Sequence, residues 1–531
     1  MVKVLVADKL AEAGLAALKA RAGVEFEAKV GLDEDALAGE VGKFDGMIIR
    51  SGVKVTAKVL SNPGRLKAIA RAGVGVDNVD LPAATKAGIL VMNTPDANTI
   101  ATAELTMALM LAVARRIPAA HEHTVSGQWN RSAFTGTQLE GKTLGLVGLG
   151  RVGSAVATRA MAFDMRVLAY DPFFKGDSAV EGQVRMVASV EDLLKEVDYL
   201  SIHAPKNEQT AGMIGAEQLA MMKDGARVIN AARGGIVDEQ ALAEALENGK
   251  IAGAGFDVYS KEPPEGNPLL KAKNVVLTPH LGASAKEAQT AVAIEAVDVL
   301  LNYLLNQEIR SAVNVVGMPA SMSERDRSYA DLATRMAKLL SPLCEKGATR
   351  VQVTTHGKVL EPICATLARY GLIDVLDPYV DTRLNVINID GFARERGIEL
   401  SHATVGGQDD GPAKVVLTVL ADGCEHSVEG AVYEDGLPRI LSIDGYRMDI
   451  VPEGPMVLIR NDDKPGVIGL VGKTFGDHGV NIADMTLSRH QKMALMVLKV
   501  DDPAPEDAVQ ALQKQRPPIQ MVRSVVLPPL P

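Results

Sequence analysis

A chain of 531 residues is too long for one hydrophobic core and should divide into about three or four domains. Its 47% hydrophobic and 23% charged content is that of an ordinary globular protein, and a net charge of −10 argues against wholesale nucleic-acid binding while leaving room for local basic pockets. The start, Met1 to Asp8, reads as a first strand and lacks the long apolar region of a signal peptide. The longest apolar stretch, at 105–114, is interrupted by Thr106 and ends at Arg115 and Arg116, short of the ~20 residues a membrane span needs. Cys344, Cys364 and Cys424 are widely spaced, with no metal-ligand or redox pattern. These features predict a cytoplasmic protein with no metal, no nucleic-acid partner and no membrane contact.

In chain order, short β runs at 2–7, 46–50, 66–70 and 89–92 alternate with amphipathic helical stretches, the pattern of a mostly parallel sheet with helices on both faces. A long helix is predicted over 98–117, with Leu105, Leu109 and Leu111 on its apolar faces and no internal proline. Residues 143–153 then read Thr-Leu-Gly-Leu-Val-Gly-Leu-Gly-Arg-Val-Gly, a strand running into G-x-G-x-x-G at Gly148, Gly150 and Gly153. Gly148 permits the tight turn, Gly150 lets backbone N–H groups approach a pyrophosphate, and Gly153 allows close helix–strand packing. The helix starting near Arg151 points its positive end at the phosphates. Asp171 follows Gly153 by 18 residues, at the end of a second strand. A carboxylate there accepts the ribose hydroxyls of NAD and repels the extra phosphate of NADP, and Pro172 supplies no compensating base. The cofactor predicted is NAD.

Further β-α units cover 199–203, 226–231 and 251–256, and a second long helix is predicted over 284–306. The fold class is therefore α/β, with two doubly wound Rossmann-like lobes. An NAD-binding lobe (98–284) is inserted in a substrate-binding lobe (1–97 and 285–316), with the cleft between them as the expected site. Gly317-Met318-Pro319-Ala320-Ser321 reads as a linker, and Ser323 caps a helix predicted to run through Leu340. Strands such as 350–354 and 415–420 mixed with helices mark an intervening α+β domain (317–450). A break at 451–455 precedes a second α+β module (455–531) in the order strand, helix, strand, strand, helix, strand.

Three segments past the fingerprint carry polar residues where chemistry would occur. Val228-Ile229-Asn230-Ala231-Ala232-Arg233 is a strand ending in an arginine that can grip a carboxylate in two-pronged geometry. Gly255-Phe256-Asp257 leads to Glu262, and Leu277-Thr278-Pro279 to His280. Oxidising an alcohol with NAD needs a base for the hydroxyl proton, which His280 can be. Glu262 would orient the ring and favour its protonated form, and Arg233 would anchor a carboxylate beside the reacting carbon.

With these segments, Arg71-Ala72-Gly73-Val74-Gly75-Val76-Asp77-Asn78 and Thr278–Ser284, the chain resembles the D-isomer-specific 2-hydroxyacid dehydrogenases along nearly its whole length. The resemblance implies catalysis by Arg233, Glu262 and His280. It places cofactor contacts on Gly148, Gly150, Arg151, Val152, Gly153, Asp171, Ala204, Ala231, Ala232, Arg233, Asp257, His280, Gly282 and Ala283. Where this chain has Val74 and Ala204 the family often has Thr, so contacts there would run through the backbone. Substrate contacts are implied at Arg50, Ser51, Gly73, Val74 and Asn98, with Trp129 and Arg131 resembling a segment that reaches into a neighbouring subunit's site. The implied reaction is NAD-dependent oxidation of 3-phospho-D-glycerate to 3-phosphohydroxypyruvate, the first step of phosphorylated L-serine biosynthesis, in a homo-oligomer (dimer or tetramer).

Residues 455–531 resemble an ACT domain, an amino-acid-binding module, through Asn461-Asp462-Asp463-Lys464-Pro465-Gly466 and Gly479-Val480-Asn481-Ile482. The resemblance implies an L-serine effector held by Asn461, Asp463 and Asn481 between paired subunits. The segment after Ser488 lacks the double glycine expected in that hairpin. Two other functions share the catalytic trio or the fold: a glyoxylate or hydroxypyruvate reductase, and a non-catalytic NAD(H)-sensing corepressor-like protein. The two C-terminal domains favour the biosynthetic enzyme.

Overall fold

The computed structural model describes residues 1–530 apart from 175, 177–179, 181, 316, 320, 345–346 and 407–410. Val316, Ala320 and Pro531, at the expected domain ends and linker, thus lie outside the described residues.

The first sheet is parallel and contains β1 (Val2–Val6), β2 (Val24–Ala28), β3 (Gly46–Ile49), β4 (Ala68–Arg71) and β5 (Leu90–Met92), in the order β2-β1-β3-β4-β5. β2 escapes a sequence reading because it is an edge strand whose side chains are mostly exposed, so it carries no apolar run. The second sheet contains β6 (Thr143–Val147), β7 (Arg166–Tyr170), β8 (Arg185–Met186), β9 (Tyr199–Ile202), β10 (Ala226–Asn230), β11 (Ile251–Phe256) and β12 (Val275–Leu277). Its order, β12-β11-β10-β9-β6-β7-β8, reverses direction between β6 and β9. That switch point is where a dinucleotide fold opens its crevice. β6 and β9 are buried along their whole length, which is why they read as short apolar segments.

The long helix predicted over 98–117 is broken. It spans Thr99–Arg115, Arg116 adopts a left-handed conformation (φ 53°), and a new helix, Ile117–Val125, begins with Pro118 in its first turn. The first of these packs against β10, β11 and β12 of the NAD lobe, while Lys286–Asn306 packs against β3, β4 and β5 of the other lobe. Lys286–Asn306 is also long and apolar enough to cross a membrane, which the reading of 105–114 as the longest apolar stretch overlooked. Its Val292, Ala296, Val297 and Leu300 belong instead to the first lobe's core.

The Glu324–Leu340 helix starts where expected. Ser323 and Asp326 form a reciprocal capping box. It lies on a six-stranded mixed sheet made of β13 (Ala348–His356), β14 (Glu399–Val405), β15 (Lys414–Ala421), β16 (Cys424–Val432), β17 (Pro438–Ile443) and β18 (Tyr446–Ile450). The last sheet is antiparallel, β20-β21-β19-β22, from β19 (Gly454–Asp462), β20 (Ile482–His490), β21 (Met493–Val500) and β22 (Ile519–Leu527). With helices Val467–Asp477 and Glu506–Gln513 this makes the βαββαβ order read from the sequence. Residues 451–453 change sheet without interrupting the core. Met456, Leu458, Leu495, Val497 and Leu527 pack in one cluster with Tyr329, Leu332 and Met336 of the preceding domain. Arg335, 1% exposed, bolts the two together by donating to the carbonyls of Pro452, Pro528 and Pro529 at 2.7–3.0 Å.

Candidate active site

The register of the second sheet aligns its last strands, with Asn230 beside Phe256 and Phe256 beside Leu277. Three loops therefore leave the sheet side by side, carrying Arg233, Glu262 and His280. Each loop is stapled by a buried polar group. Asn230 accepts from the Ala232 N–H at 3.1 Å and donates to the Arg233 carbonyl at 2.9 Å. Asp257, fully buried, accepts from the Thr278 hydroxyl (2.6 Å) and the N–H groups of Leu281 (2.7 Å) and Gly282 (2.8 Å). Glu239 accepts from the Ser260 N–H and hydroxyl and from Asn267 Nδ2, at 2.6–2.7 Å, so it braces the loop that carries Glu262.

His280 Nδ1 and Glu262 Oε2 lie 2.8 Å apart, and Glu262 Oε1 accepts from the Tyr259 N–H at 3.2 Å. His280 is a non-glycine residue at φ 57°, a costly left-handed conformation for a bulky side chain. The Asp257 network holds it there, since the His280 N–H also donates to the Asp257 carbonyl at 2.9 Å. Tyr259 stays a neutral phenol, pushed up to about 12 by burial and the nearby Asp257 and Glu262 carboxylates, and donates to the Thr278 carbonyl at 2.9 Å. An imidazole paired on one nitrogen and half exposed on its other side can move a proton.

Arg233 reaches across the cleft. Its Nε lies 3.4 Å from Asp77 Oδ2, and a Cβ on Gly75 would meet its Nη2 at 2.2 Å, so Gly75 makes room for it. Gly73 and Val74 lie in the same loop, their carbonyls accepting from the Thr94 N–H and Asn93 Nδ2. Arg71, which sequence reasoning quoted only as part of a motif, belongs to this site. Burial, then the neighbouring Arg233, lowers its guanidinium to about 10, and Arg50 lies within electrostatic reach. Arg71 Nε is buried without a hydrogen-bond partner, as are Asn98 Oδ1 and Thr99 Oγ1 at the start of the connecting helix. Orphaned donors and acceptors of this kind mark a place that a ligand or ordered water completes. The signal in the sequence was an arginine closing an otherwise apolar strand, which alone does not separate a ligand from a surface charge.

Arg50 Nη1 donates to the Lys9 carbonyl at 3.2 Å and Ser51 follows it in an exposed turn. Trp129, 80% exposed, and Arg131, in the short turn Arg131–Phe134, share no hydrogen bond or ion pair with the Arg233–His280 cluster among the described residues.

At the switch point the glycine loop has the shape a pyrophosphate needs. A Cβ on Gly148 (φ 97°) would meet the His203 carbonyl at 2.6 Å, next to Ala204, and one on Gly153 would meet the Gly148 carbonyl at 2.3 Å. Gly150 faces open space. Asp171 accepts from the Leu149 and Phe173 N–H groups, both at 2.8 Å, one per oxygen, which leaves lone pairs on both. Arg151 is ion-paired with Asp96, and Val152 packs into the lobe's core. Ala231, Ala232, Gly282 and Ala283 flank the loops of Arg233 and His280. The residues present fit a dinucleotide.

In the last domain Asn461 is 2% exposed and its Oδ1 is buried without a partner, while Asp463 pairs with Arg489 at 3.4 Å. Gly466 (φ 90°) precedes the Val467–Asp477 helix. Asn481 donates to Asp501 at 2.7 Å. Asn461 lies beside Ala494 at one end of β21, whereas Asn481 precedes Ile482, which pairs with Val500 at the other. That separates them by about 20 Å at the usual rise per strand residue. One chain does not assemble Asn461, Asp463 and Asn481 into a site.

Residues 107–282 match the NAD binding domain of the D-isomer specific 2-hydroxyacid dehydrogenases, 325–444 the D-3-phosphoglycerate dehydrogenase intervening domain, and 456–517 the ACT domain. The chain is 40% identical over 517 residues to the D-3-phosphoglycerate dehydrogenase of Archaeoglobus fulgidus, covering 96% of this chain and 98% of that one. It is 37% identical over 530 residues to the enzyme of that name from Bacillus subtilis, covering 99% and 100%. Among solved structures, the TT0316 protein of Thermus thermophilus (41% identity, TM-score 0.54) covers 59% of this chain and 99% of its own. A glyoxylate reductase from Paecilomyes thermophila (30% identity, TM-score 0.55) also covers 59%, and 98% of its own chain. The chain belongs to the D-3-phosphoglycerate dehydrogenase family of NAD-dependent oxidoreductases, in its long form with intervening and ACT domains.

Proposed function

We propose that this chain oxidises 3-phospho-D-glycerate to 3-phosphohydroxypyruvate, with His280 as the base, Arg233 as the carboxylate anchor, and Arg71 and Arg50 as phosphate holders. The observation that carries the reading is a group of three guanidiniums, with Arg233 and Arg50 within electrostatic reach of Arg71, whose Nε is buried and orphaned, and the His280–Glu262 pair on loops that leave the second sheet beside that of Arg233. NAD, held by the glycine loop and Asp171, would supply the hydride acceptor for the carbon that bears the hydroxyl. The chain does the rest. His280 takes the hydroxyl proton, Glu262 stabilises the imidazolium that results, and Arg233 holds the carboxylate and polarises the forming carbonyl. Asp257, with its side-chain oxygens taken by the His280 loop, acts as a positioning residue. Asp171 and the glycine loop receive the cofactor's ribose and pyrophosphate.

A homo-oligomer fits the Ile117–Val125 helix, which buries none of its residues and leaves Ile117, Val125 and the following Trp129 exposed. Across such an interface Arg131 would reach a partner's cleft. L-serine would bind between paired C-terminal domains. Free thiols at Cys344, Cys364 and Cys424 suit the reducing cytoplasm. The direct test follows NADH absorbance with 3-phosphoglycerate, glycerate and hydroxypyruvate side by side. The phosphorylated substrate should have the highest kcat/KM. A preference for glycerate or hydroxypyruvate would give the chain to the reductases instead.

A further inference from the structure

Away from the cleft, a cavity of about 380 Å³ opens where the substrate lobe meets the intervening domain. That volume is within the range of small-molecule sites. Lys67 and Tyr303 come from the lobe, and Thr334, Tyr370, Asp374 and Arg383 from the intervening domain. The seam is built, with Asn385 Nδ2 donating to the Gly88 carbonyl at 2.7 Å and Ile387 seated in the lobe's own core.

The cavity's polar groups divide into engaged and free. Asp374 is engaged by Thr334 and by Lys338 at 3.4 Å. The Tyr303 and Tyr370 hydroxyls have no hydrogen-bond partner among the described residues, and burial raises both phenols, so they remain donors. Arg383 lies close enough to Tyr303 to influence it but is in no ion pair among the described residues. Lys67 senses Asp45, whose carboxylate is already held by Arg65 at 2.8 and 3.1 Å. The free set is thus two cations and two phenols, all able to donate, on walls supplied by two domains. We propose that this seam binds a small organic anion, a carboxylate or a phosphate monoester, between Arg383, Lys67, Tyr303 and Tyr370. Its occupant ties the substrate lobe to the intervening domain.

The test is calorimetry of the full-length protein with inorganic phosphate and with glycerate, on wild type, the Lys67→Ala/Arg383→Ala double variant and Tyr370→Phe. Wild type should bind one of the probes at a site beyond the catalytic cleft. The double variant should weaken that event about tenfold or more, the loss expected when charge-assisted hydrogen bonds go. Tyr370→Phe, which keeps the packing, should weaken it a few-fold. KM for 3-phospho-D-glycerate should stay within about twofold in both, because neither variant touches the cleft. Binding of phosphate alone identifies a phosphate monoester site, and of glycerate alone a carboxylate site. Identical isotherms for wild type and double variant, or no event beyond the cleft, would overturn the proposal.

Discussion

At the scale of single residues, the 2.8 Å contact between His280 and Glu262 makes Glu262→Gln diagnostic. An amide cannot offset the charge that the imidazole takes up with the hydroxyl proton, so kcat should fall about 10–100-fold with NAD binding retained. Wild-type turnover would break the pair. His280→Ala should lower kcat by roughly 10²–10⁴ with NAD binding retained, as expected for loss of a general base. Arg71 supports a sharper comparison. Arg71→Ala should raise KM about 10–100-fold for 3-phosphoglycerate, the scale of a lost charge-assisted contact. It should raise KM much less for glycerate, and equal losses on both would remove the phosphate from its role. The trio at 233, 262 and 280 was legible because each residue follows an apolar strand at a sheet end. Arg71 was not, because only burial and an unpartnered Nε distinguish it from a surface charge.

At the scale of elements, loop position depends on buried carboxylates that the sequence presents as ordinary helix or turn residues. Glu239 looks like the first residue of a helix, where an acid suits the dipole. Its three short hydrogen bonds to Ser260 and Asn267 give it a different task, which spacing in the sequence cannot reveal. Glu239→Gln should cost about 1–3 kcal/mol in stability through a mismatched buried acceptor. It should also reproduce part of the kcat loss of Glu262→Gln, since the loop carrying Glu262 loses its brace. A lower Tm with kcat unchanged would mean Glu239 supports the fold alone. Most strands were legible from apolar runs, whereas β2 and the helix break at Arg116 were not. An exposed edge has no hydrophobic signature, and a left-handed arginine is not a breaker by composition.

At the scale of the whole molecule, any regulation by L-serine would have to pass through a C-terminal half that shares one core. Truncation at 455 is a poor test, because it would strip Met456, Leu458 and Leu527 from that cluster and leave Arg335 without its carbonyl partners at 528 and 529. A buried guanidinium robbed of acceptors destabilises the domain left behind, so lost activity would say nothing about serine. Point changes are cleaner. Asn461 and Asn481 lie at opposite ends of β21, so a ligand touching both must span two chains. We predict that L-serine lowers activity of the intact oligomer and that Asn461→Ala and Asn481→Ala each abolish this with kcat unchanged. Mixed oligomers of the two variants should regain a fraction of serine-sensitive sites, because pairing the variants leaves some interfacial sites with both asparagines. For serine to act at a distance, it must bind one arrangement of the oligomer more tightly than another, and that difference in affinity sets the largest inhibition possible. Inhibition that survives in both single variants, or calorimetry without serine binding at millimolar concentration, would leave these domains an assembly role only.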